Sequence, residues 1–436
     1  MTAPHAVISG ASIAGLSAAW WLRRTGWAVT VVERAPAFRD GGQNVDVRGV
    51  AREVLDRMGL VEAVRRVNTT ETGAVLVDRD GAVTAELPSD GADGATAELE
   101  VLRGDLARTI LDALPDGVQF VYGETVEDVD DTDGGLAPGR VTIRTSTGRV
   151  LHADLLVVAE GVRSRTRDRL FAGAGAVDTR DLGVTMAFGT IPRTPSDDDR
   201  WRWYNAVGGR QVHLRPDPYG TTRAILAYAG DDDLAGRDRD ETQARLRQRY
   251  ADAGWQTQRV LDGFASSDDV YVDELTQIRM PKWRRGRVCV VGDAAWCVTP
   301  MGGGGASLAL TSGYVLAASL SRVDTASGPI DRAGLDAALG AFDEWMRPLV
   351  DKIQGIPKGI VRFAYPRTRL GLAARGVADK VLTSALAKPL AARLTRVADS
   401  DRPLPELAAG ASASSARAAD GREAPDRSAQ GSRPER

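Results

Sequence analysis

A glycine turn near the start of the chain has the residue types and spacing of a dinucleotide site. The stretch GASIAG, residues 10–15, separates an apolar run from a helical pattern. In such a turn the first glycine permits the tight bend, the last permits close helix packing, and the helix N-terminus faces the phosphates. Ser12 replaces the usual middle glycine, but its hydroxyl can donate to a phosphate. The residues expected to form this site are Gly10, Ser12, Ile13, Ala14 and Gly15.

A carboxylate follows the turn at the distance typical of a ribose contact. Glu33 ends the next apolar run, 18 positions after Gly15, where an acidic residue commonly binds a ribose diol. Arg34 follows it and is expected at the same site. A strand–helix turn without a ligand would have the same glycines, and the turn alone fits NAD and FAD equally well.

A second acidic turn, late in the chain, distinguishes between these cofactors. In VVGDAAWCVTPMGGGGASLAL, residues 290–310, Gly292 and Asp293 follow an apolar run, and four glycines precede a helical pattern. An NAD dehydrogenase has no need of this turn, whereas the longer FAD extends beyond the first one. Asp293 offers a carboxylate to the ribityl hydroxyls, and bare N–H groups at a helix start stabilise a reduced, anionic flavin. The further residues expected to contact FAD are Gly292, Asp293, Gly303, Gly304, Gly305 and Ala306.

The elements around these turns predict an α/β fold. A Rossmann-like FAD-binding domain with a parallel sheet is expected to be split by a mainly antiparallel β substrate domain, and helices are expected at the C-terminus. Residues 5–34 alternate as strand, helix and strand, while 180–285 have the alternating pattern of antiparallel strands with one helix at 240–252. The expected divisions are an FAD-binding domain at 1–179 (with a hairpin region at 73–100) and 286–330, a substrate domain at 180–285, a helical region at 331–400 and a disordered, Ala/Ser/Gly/Arg/Pro-rich tail at 408–436.

Three ordered motifs resemble those of one enzyme family over residues 5–395. GASIAG with VVER, DLLVVAEGVRSRTR (154–167) and VCVVGDAAWCVTPMGGGGASLAL resemble the motifs of single-component FAD-dependent aromatic hydroxylases of the para-hydroxybenzoate hydroxylase type, the group A flavin monooxygenases. This resemblance implies that the middle motif, with Glu160 and Gly161, is shared between FAD and NADPH. Two residues depart from the pattern. Glu160 replaces an aspartate, and Trp296 stands where histidine is common, at a position expected near the floor of the substrate cavity.

The resemblance also implies an activity. In this family NADPH or NADH reduces non-covalently bound FAD, and O2 adds to the reduced ring. The resulting flavin C4a-hydroperoxide hydroxylates an electron-rich carbon of an aromatic molecule. The protein binds and orients the cofactor and the substrate and excludes water. The segment GGQNVDVRG (41–49), with Arg48, resembles the part of these enzymes beside the mobile flavin ring. The sequence of this segment is most similar to that of family members that act on polyketides, including tetracycline-inactivating enzymes. Arg103 is implied to contact FAD.

Candidates for substrate recognition lie in the insertion. Trp203 belongs to WRWYN (201–205), and His213 and Arg215 alternate in QVHLR. Alternate residues of a strand share one face, so these side chains, together with Arg48, are candidates for binding a planar phenolic or enolic molecule. Aromatic clusters are more often core, and single arginines are more often surface charges. The pattern identifies no catalytic nucleophile or base.

Composition excludes several other classes. A formal net charge of −3 provides no basic surface for nucleic acid or for an anionic membrane, and two cysteines and three histidines fit neither a disulfide framework nor a metal site. No lysine or arginine precedes Arg23, as a signal peptide would require, and no apolar run reaches membrane-spanning length. We therefore expect a cytoplasmic enzyme, monomeric or homodimeric. An FAD-dependent reductase or dehydrogenase without oxygen insertion, or a non-catalytic flavin-binding protein, remains an alternative.

Overall fold

The structure is a computed structural model. It describes residues 3–87, 99–132, 139–173, 175–230, 234, 236–324, 330–355, 357, 359–382, 400 and 402–408. The tail expected at 408–436 lies outside the described residues, apart from Ala408, and so do residues 383–399 of the expected helical region.

The first third of the chain mixes strands and helices, the middle part is rich in strands, and the described part after residue 290 is helical. The strands are β1 (His5–Ser9), β2 (Ala28–Glu33), β3 (Asn44–Asp46), β4 (Ala74–Val77), β5 (Val83–Leu87), β6 (Glu100–Leu102), β7 (Val118–Tyr122), β8 (Val126–Asp130), β9 (Val141–Thr145), β10 (Val150–Ala153), β11 (Leu155–Val158), β12 (Asp178–Pro192), β13 (Trp201–Ala206), β14 (Arg210–Pro216), β15 (Thr221–Ala229), β16 (Tyr271–Arg279), β17 (Arg284–Arg285) and β18 (Val288–Val290). The helices are α1 (Ile13–Arg24), α2 (Val50–Met58), α3 (Val61–Arg66), α4 (Arg103–Asp112), α5 (Arg165–Leu170), α6 (Arg239–Arg249), α7 (Thr257–Ser266), α8 (Asp293–Trp296), α9 (Thr299–Gly302), α10 (Gly305–Leu320), α11 (Arg332–Gln354), α12 (Ile360–Ala364) and α13 (Arg369–Leu382).

The first sheet brings together strands that are far apart in the sequence. Its order is β17-β18-β11-β1-β2-β7, and all neighbours are parallel except β17 and β18. Its central strands are buried along almost their whole length, as expected for a parallel sheet covered on both faces. The predicted fold class is therefore confirmed.

Two helices that follow glycine turns pack closely against each other. Ser17 of α1 donates through Oγ to the carbonyl oxygen of Leu310 in α10, at 2.7 Å. A Cβ atom on Gly313 would overlap the backbone and the hydroxyl of Ser17. Because the two backbones are this close, a small residue is required at the crossing.

The second sheet has the order β16-β12-β15-β14-β13-β4-β5, and its pairs are antiparallel except β13 with β4. One face packs against α6 and α7 through Leu246, Val260 and Phe264. The opposite face contacts Met301, in the segment that leads into the glycine run. The second sheet therefore has one structural face and one face directed toward the predicted cofactor site.

The hairpin at 74–87 pairs with the second sheet. The sequence division grouped this region with the first part of the FAD-binding domain, but β4 runs parallel to β13, with Trp201 opposite Ala74. Strand pairing over more than a hundred residues depends on tertiary packing, which local alternation does not specify.

A second helix in the insertion was missed by the sequence interpretation, which expected one at 240–252. Helix α7 buries Val260, Leu261 and Phe264 on one face. Gly263 lies within it, and glycine lowers helix propensity. Its place is explained by packing, because a Cβ there would lie 2.8 Å from Cβ of Ile191.

The last described residues are held on the outside of α10 and α11. Leu404 is buried, Tyr314 Oη donates to the Pro405 carbonyl at 2.7 Å, and Trp345 Nε1 donates to the Pro403 carbonyl at 3.1 Å. Among the described helices, none combines the length and the hydropathy that crossing a bilayer requires.

The crossing of α1 and α10 gives a stability prediction. Gly313→Ala should lower the free energy of unfolding by about 2–3 kcal/mol, because the added methyl group has no space. Gly376→Ala is the matched control, since Gly376 lies in α13 with open space around its Cβ position, and this change should be neutral or slightly stabilising. Urea unfolding followed by circular dichroism checks both. Equal stability of the two variants would contradict the close crossing.

Candidate functional site

The three predicted motifs meet at one edge of the first sheet. Strands β1, β11 and β18 are neighbours, and the loop of each motif follows the end of one of them. The Ala159 N–H donates to the Ser9 carbonyl at 2.8 Å, and the Val291 N–H donates to the Val158 carbonyl at 2.9 Å. The carboxyl edge of a parallel sheet is where α/β proteins commonly bind ligands.

The first turn has no room for side chains at its outer glycines. Gly10 has φ of +108°, and a Cβ there would overlap the carbonyl oxygen of Ala159. A Cβ on Gly15 would overlap the carbonyl oxygen of Gly10. Ser12 is the exposed N-cap of α1, and its hydroxyl makes no capping hydrogen bond. Ile13 and Ala14 follow as the buried first residues of the helix.

Glu33 lies directly beside the first turn. Its Oε2 accepts the Ala11 N–H at 2.8 Å, and its Oε1 accepts the Ala35 N–H at 2.9 Å. The carboxylate is thereby held at the end of β2, next to the N-terminus of α1. Arg34 is exposed immediately after it.

The carboxylate of Glu160 is surrounded by donors from the protein. Its Oε1 accepts the hydroxyls of Ser9 and Thr166, both at 2.6 Å. Its Oε2 accepts the Ser164 hydroxyl at 2.7 Å and the Thr166 N–H at 3.1 Å. Glu160 therefore ties the end of β1 to the start of α5. Gly161 follows with φ of +78°.

Arg167, which the sequence interpretation did not single out, joins the middle motif to the last one. The residue is 3% exposed, and its Nη1 donates to the carbonyl oxygens of Val162 at 2.9 Å and Ala294 at 3.1 Å. Nε donates to Asp168 at 2.8 Å. The run RSRTR contains this residue, but only the fold indicates which of its arginines is buried.

The last motif contacts the first one through Gly292. This residue has φ of +63° and ψ of −151°, and a Cβ there would lie 2.7 Å from Cβ of Ala14. Asp293 follows, accessible to solvent although protein surrounds it, so it lies in a concave part of the surface. This environment raises the pKa of Asp293, while the positive charge of Arg103 lowers it.

The glycine run leads into α10 beside the segment that contains Arg48. Gly303 and Gly304 have φ of +65° and +70°, and α10 begins at Gly305, with Ala306 in its first turn. Ser307 Oγ accepts the Arg48 N–H at 3.0 Å and donates to the Asp46 carbonyl at 3.1 Å. Arg48 also pairs with Asp46 at 3.1 Å.

Arg103 opens α4 on the same side of the molecule. Its N–H donates to the Gln43 carbonyl at 2.9 Å, and a Cβ on Gly42 would lie 3.0 Å from the Cβ of Arg103. A Cβ on Gly104 would overlap the Asp40 carbonyl. This close contact of Gly104 was not predicted, although glycine has a low helix propensity and is uncommon in a helix.

The substrate-side candidates share one face of the second sheet. His213 lies opposite Trp203 in the ladder, and Arg215 is on the same face, because alternate residues point the same way. Trp203 stacks on His213 with ring centroids 4.6 Å apart and on Trp201 at 5.4 Å. Asp273, which the sequence interpretation missed, lies on this face opposite Met186, and burial raises its pKa.

The protein around Arg215 and His213 determines the charge environment of both candidates. Arg215 forms an ion pair with Glu71 at 2.9 Å and another with Glu100. Burial, with a smaller effect of Arg215, lowers the pKa of His213 to about 3, so the imidazole is neutral near pH 7.

Trp296 does not lie near the expected floor of a cavity. It is 1% exposed and packs edge-to-face on Trp283, with centroids 4.4 Å apart, close to Phe342. The large ring fills the hydrophobic core behind the last motif, so this departure from the family pattern is a packing change.

Comparison with known proteins identifies the family. Residues 4–338 match the family described as FAD binding domain. The chain belongs to this family. The flavin-dependent monooxygenase eupH of Phoma sp is 34% identical over 390 residues, 85% of this chain and 90% of that protein. The FAD-dependent monooxygenase asL4 of Sarocladium schorii is 30% identical over 372 residues, 80% of this chain and 84% of that protein.

Solved structures agree with this assignment. The tetracycline destructase Tet(55) is 25% identical, covers 93% of this chain and 99% of its own, and has a TM-score of 0.73. The resemblance to group A flavin monooxygenases is confirmed, and this FAD-binding family member is an FAD-dependent monooxygenase. The glycine cradle and the accessible Asp293 fit the cofactor: bare backbone suits a pyrophosphate, and a carboxylate suits hydroxyl donors.

The acidic turn gives a binding prediction for this monooxygenase. Asp293→Ala should weaken FAD binding at least about tenfold, because it removes a charged hydrogen-bond acceptor, and Gly10→Val should abolish binding by blocking the turn. Asp268→Ala is the control, since that side chain is fully exposed. Flavin absorbance per purified chain and titration of the apoprotein with FAD measure the effect. Full flavin content in both site variants would refute the site.

Proposed function

We propose that this monooxygenase uses NAD(P)H and O2 to hydroxylate a planar phenolic or enolic molecule of polyketide type. The observation that carries the proposal is the ring face of the second sheet, formed by Trp201, Trp203 and His213. The same face holds the cluster against which Met301 packs, next to the glycine run. A planar molecule stacked on these rings would therefore lie on the side of the second sheet that faces the glycine run leading into α10.

The residues proposed to hold FAD are arranged along the edge of the first sheet. We assign the phosphates to the first turn and the N-terminus of α1, a ribose to Glu33, and the ribityl chain to Asp293, with Arg103 nearby. FAD, when bound, supplies the redox chemistry that activates O2. Glu160 is proposed to shape its loop, since four protein donors already occupy its oxygens.

The hydrogen bonds of His213 support a positioning role. Trp201 Nε1 can only donate, so the Nδ1 of His213, 3.2 Å away, accepts. Nε2 then carries the proton and donates to Gln211 Oε1 at 3.2 Å. The Nε2 of Gln211 donates to the Ala364 carbonyl at 2.7 Å. This directed chain fixes the neutral tautomer and holds the ring flat beneath a substrate.

The substrate class draws on a relative as well as on the face. Tet(55), which shares the fold, is named a tetracycline destructase, and tetracyclines are polycyclic, enolic polyketides. Stacked rings favour such molecules because large aromatic surfaces gain energy when they bury each other. The reaction is proposed for the cytoplasm, where reduced nicotinamides are abundant.

Oxygen consumption tests the proposed reaction. The holoenzyme is mixed with NADPH or NADH and a panel of polycyclic enols and simple phenols, and O2 uptake is followed. We expect one group of compounds to stimulate NAD(P)H oxidation and to gain one oxygen atom that derives from labelled O2. Turnover that continues unchanged without O2 would instead indicate a reductase and would overturn the proposal.

The ring face gives a mutational prediction. Trp203→Leu should raise KM for the stimulating substrate about tenfold, since a stacked pair contributes on the order of 1 kcal/mol beyond burial, and should leave flavin content unchanged. Tyr204→Phe, the next residue on the opposite face, is the control. Steady-state kinetics of both proteins check this. Equal KM values for the two variants would contradict the placement of the substrate on this face.

A further inference from the structure

A buried charge cluster lies beside the rings, on the same face of the second sheet. Arg215 donates from Nε to Glu71 Oε2 at 2.9 Å and from Nη2 to Glu71 Oε1 at 3.2 Å, and it also donates to Glu100 Oε1. The exposed fractions of the three side chains are 12% for Arg215, 0% for Glu71 and 2% for Glu100. One buried guanidinium therefore faces two buried carboxyl groups.

Glu100 is the member of this cluster that is poorly satisfied as an anion. Its Oε1 also accepts from Asn44 Nδ2 at 2.9 Å, but its Oε2 is buried and lacks a hydrogen-bond partner among the described residues. A buried ionised oxygen without a donor is costly. Burial is the largest effect and raises the pKa of Glu100 to about 8; Arg215 lowers it, while Glu71 and Asp46 raise it.

The groups that face Glu100 come from three elements. Arg215 approaches from β14, Glu71 from the segment before β4, and Asp46 from β3, directly opposite Glu100 in the ladder with β6. Asp46 is compensated by Arg48, at 3.1 Å. With Glu100 protonated, Arg215 and Glu71 balance each other. With Glu100 ionised, the Arg215–Glu71–Glu100 cluster carries one uncompensated negative charge.

This charge lies next to the proposed substrate. The Cζ atom of Arg215 is 4.2 Å from the centroid of the Trp201 ring, and Trp201 stacks on Trp203. His213, on the same face, stays neutral because burial keeps its pKa low. A change in the charge of the cluster therefore changes the electrostatic potential at a molecule stacked on the face, because a single ring separates the two.

We infer that Glu100 is a positioning residue that selects the charge form of the substrate: protonated, it lets the ring face accept a phenolate or enolate anion, and ionised, it makes the face reject that anion. This inference rests on the proposed placement of the substrate on the ring face. The anion is the more electron-rich form, and the proposed oxygen insertion requires an electron-rich carbon. Glu100 acts through Arg215 and does not itself contact the reacting carbon.

Equilibrium binding without turnover tests the inference. The oxidised holoenzyme, without reductant, is titrated with 2-hydroxy-1,4-naphthoquinone, an enol that is anionic near neutral pH, and with its neutral methyl ether, and quenching of tryptophan fluorescence is measured. Between about pH 7 and pH 9 the Kd of the enol should rise about tenfold, as expected for one added, partly screened charge at short range. The Kd of the methyl ether should not change.

Three variants locate the effect. Glu100→Gln keeps an acceptor for Arg215 but cannot ionise, so the Kd of the enol should stay low across the range. Glu71→Gln leaves Glu100 as the remaining carboxylate partner of Arg215, so ionised Glu100 is balanced by Arg215 and the cluster does not become negative. The Kd of the enol at pH 9 should therefore stay at or below the wild-type value at pH 7. Glu86→Gln, on β5 with a largely exposed side chain, is the matched control and should behave as the wild type. Circular dichroism and flavin content confirm that each variant is folded.

Two results would overturn the inference. One is a Kd for the enol that is independent of pH in the wild type or equally dependent on pH in Glu100→Gln. The other is the absence of saturable quenching at about pH 6, where the cluster is neutral and the face should accept the anion. The proposed reaction is measured separately by oxygen uptake, so it can stand when the role of Glu100 fails.

Discussion

The site depends on a close approach of backbones at the carboxyl edge of the first sheet. Gly10 touches Ala159, Gly15 touches Gly10, and Gly292 touches Ala14, each without space for a Cβ atom. Because β1, β11 and β18 are parallel neighbours, three segments that are far apart in sequence meet at the surface of this edge. Bare N–H groups and a few carboxylates then line that surface, which is the chemistry that a long phosphorylated cofactor requires.

Polar side chains connect the loops at this edge. Glu160 accepts hydrogen bonds from the end of β1 and the start of α5. Arg167 donates to one carbonyl oxygen of the middle loop and one of the last loop. In the second sheet, Arg215 has a similar position between segments, but its two carboxyl partners exceed its single charge. In the first arrangement both carboxylate oxygens of Glu160 accept hydrogen bonds, whereas in the second the buried Oε2 of Glu100 has no partner among the described residues.

The sequence was most informative where a local pattern determines the structure. The strand–helix–strand order of residues 5–34 was predicted and is observed as β1, α1 and β2, because continuous apolar runs and helical periodicity belong to short windows. Helix α7 was missed since Gly263, required by contact with Ile191, weakens its helical pattern. The partners of Arg215 could not be predicted, because Glu71 and Glu100 approach it only after the strands have paired. Trp296 was assigned to a cavity because its position, but not its packing, can be read from a motif.

The pairing of β4 with β13 has a consequence for engineering and for divergence within the family. The substrate layer is assembled from two separate stretches of chain, one before residue 88 and one after 177, so neither stretch holds the complete layer. A chimaera that exchanged only 180–285 with a relative would join foreign strands to a native edge. Recombination that preserves the layer must therefore exchange both stretches together.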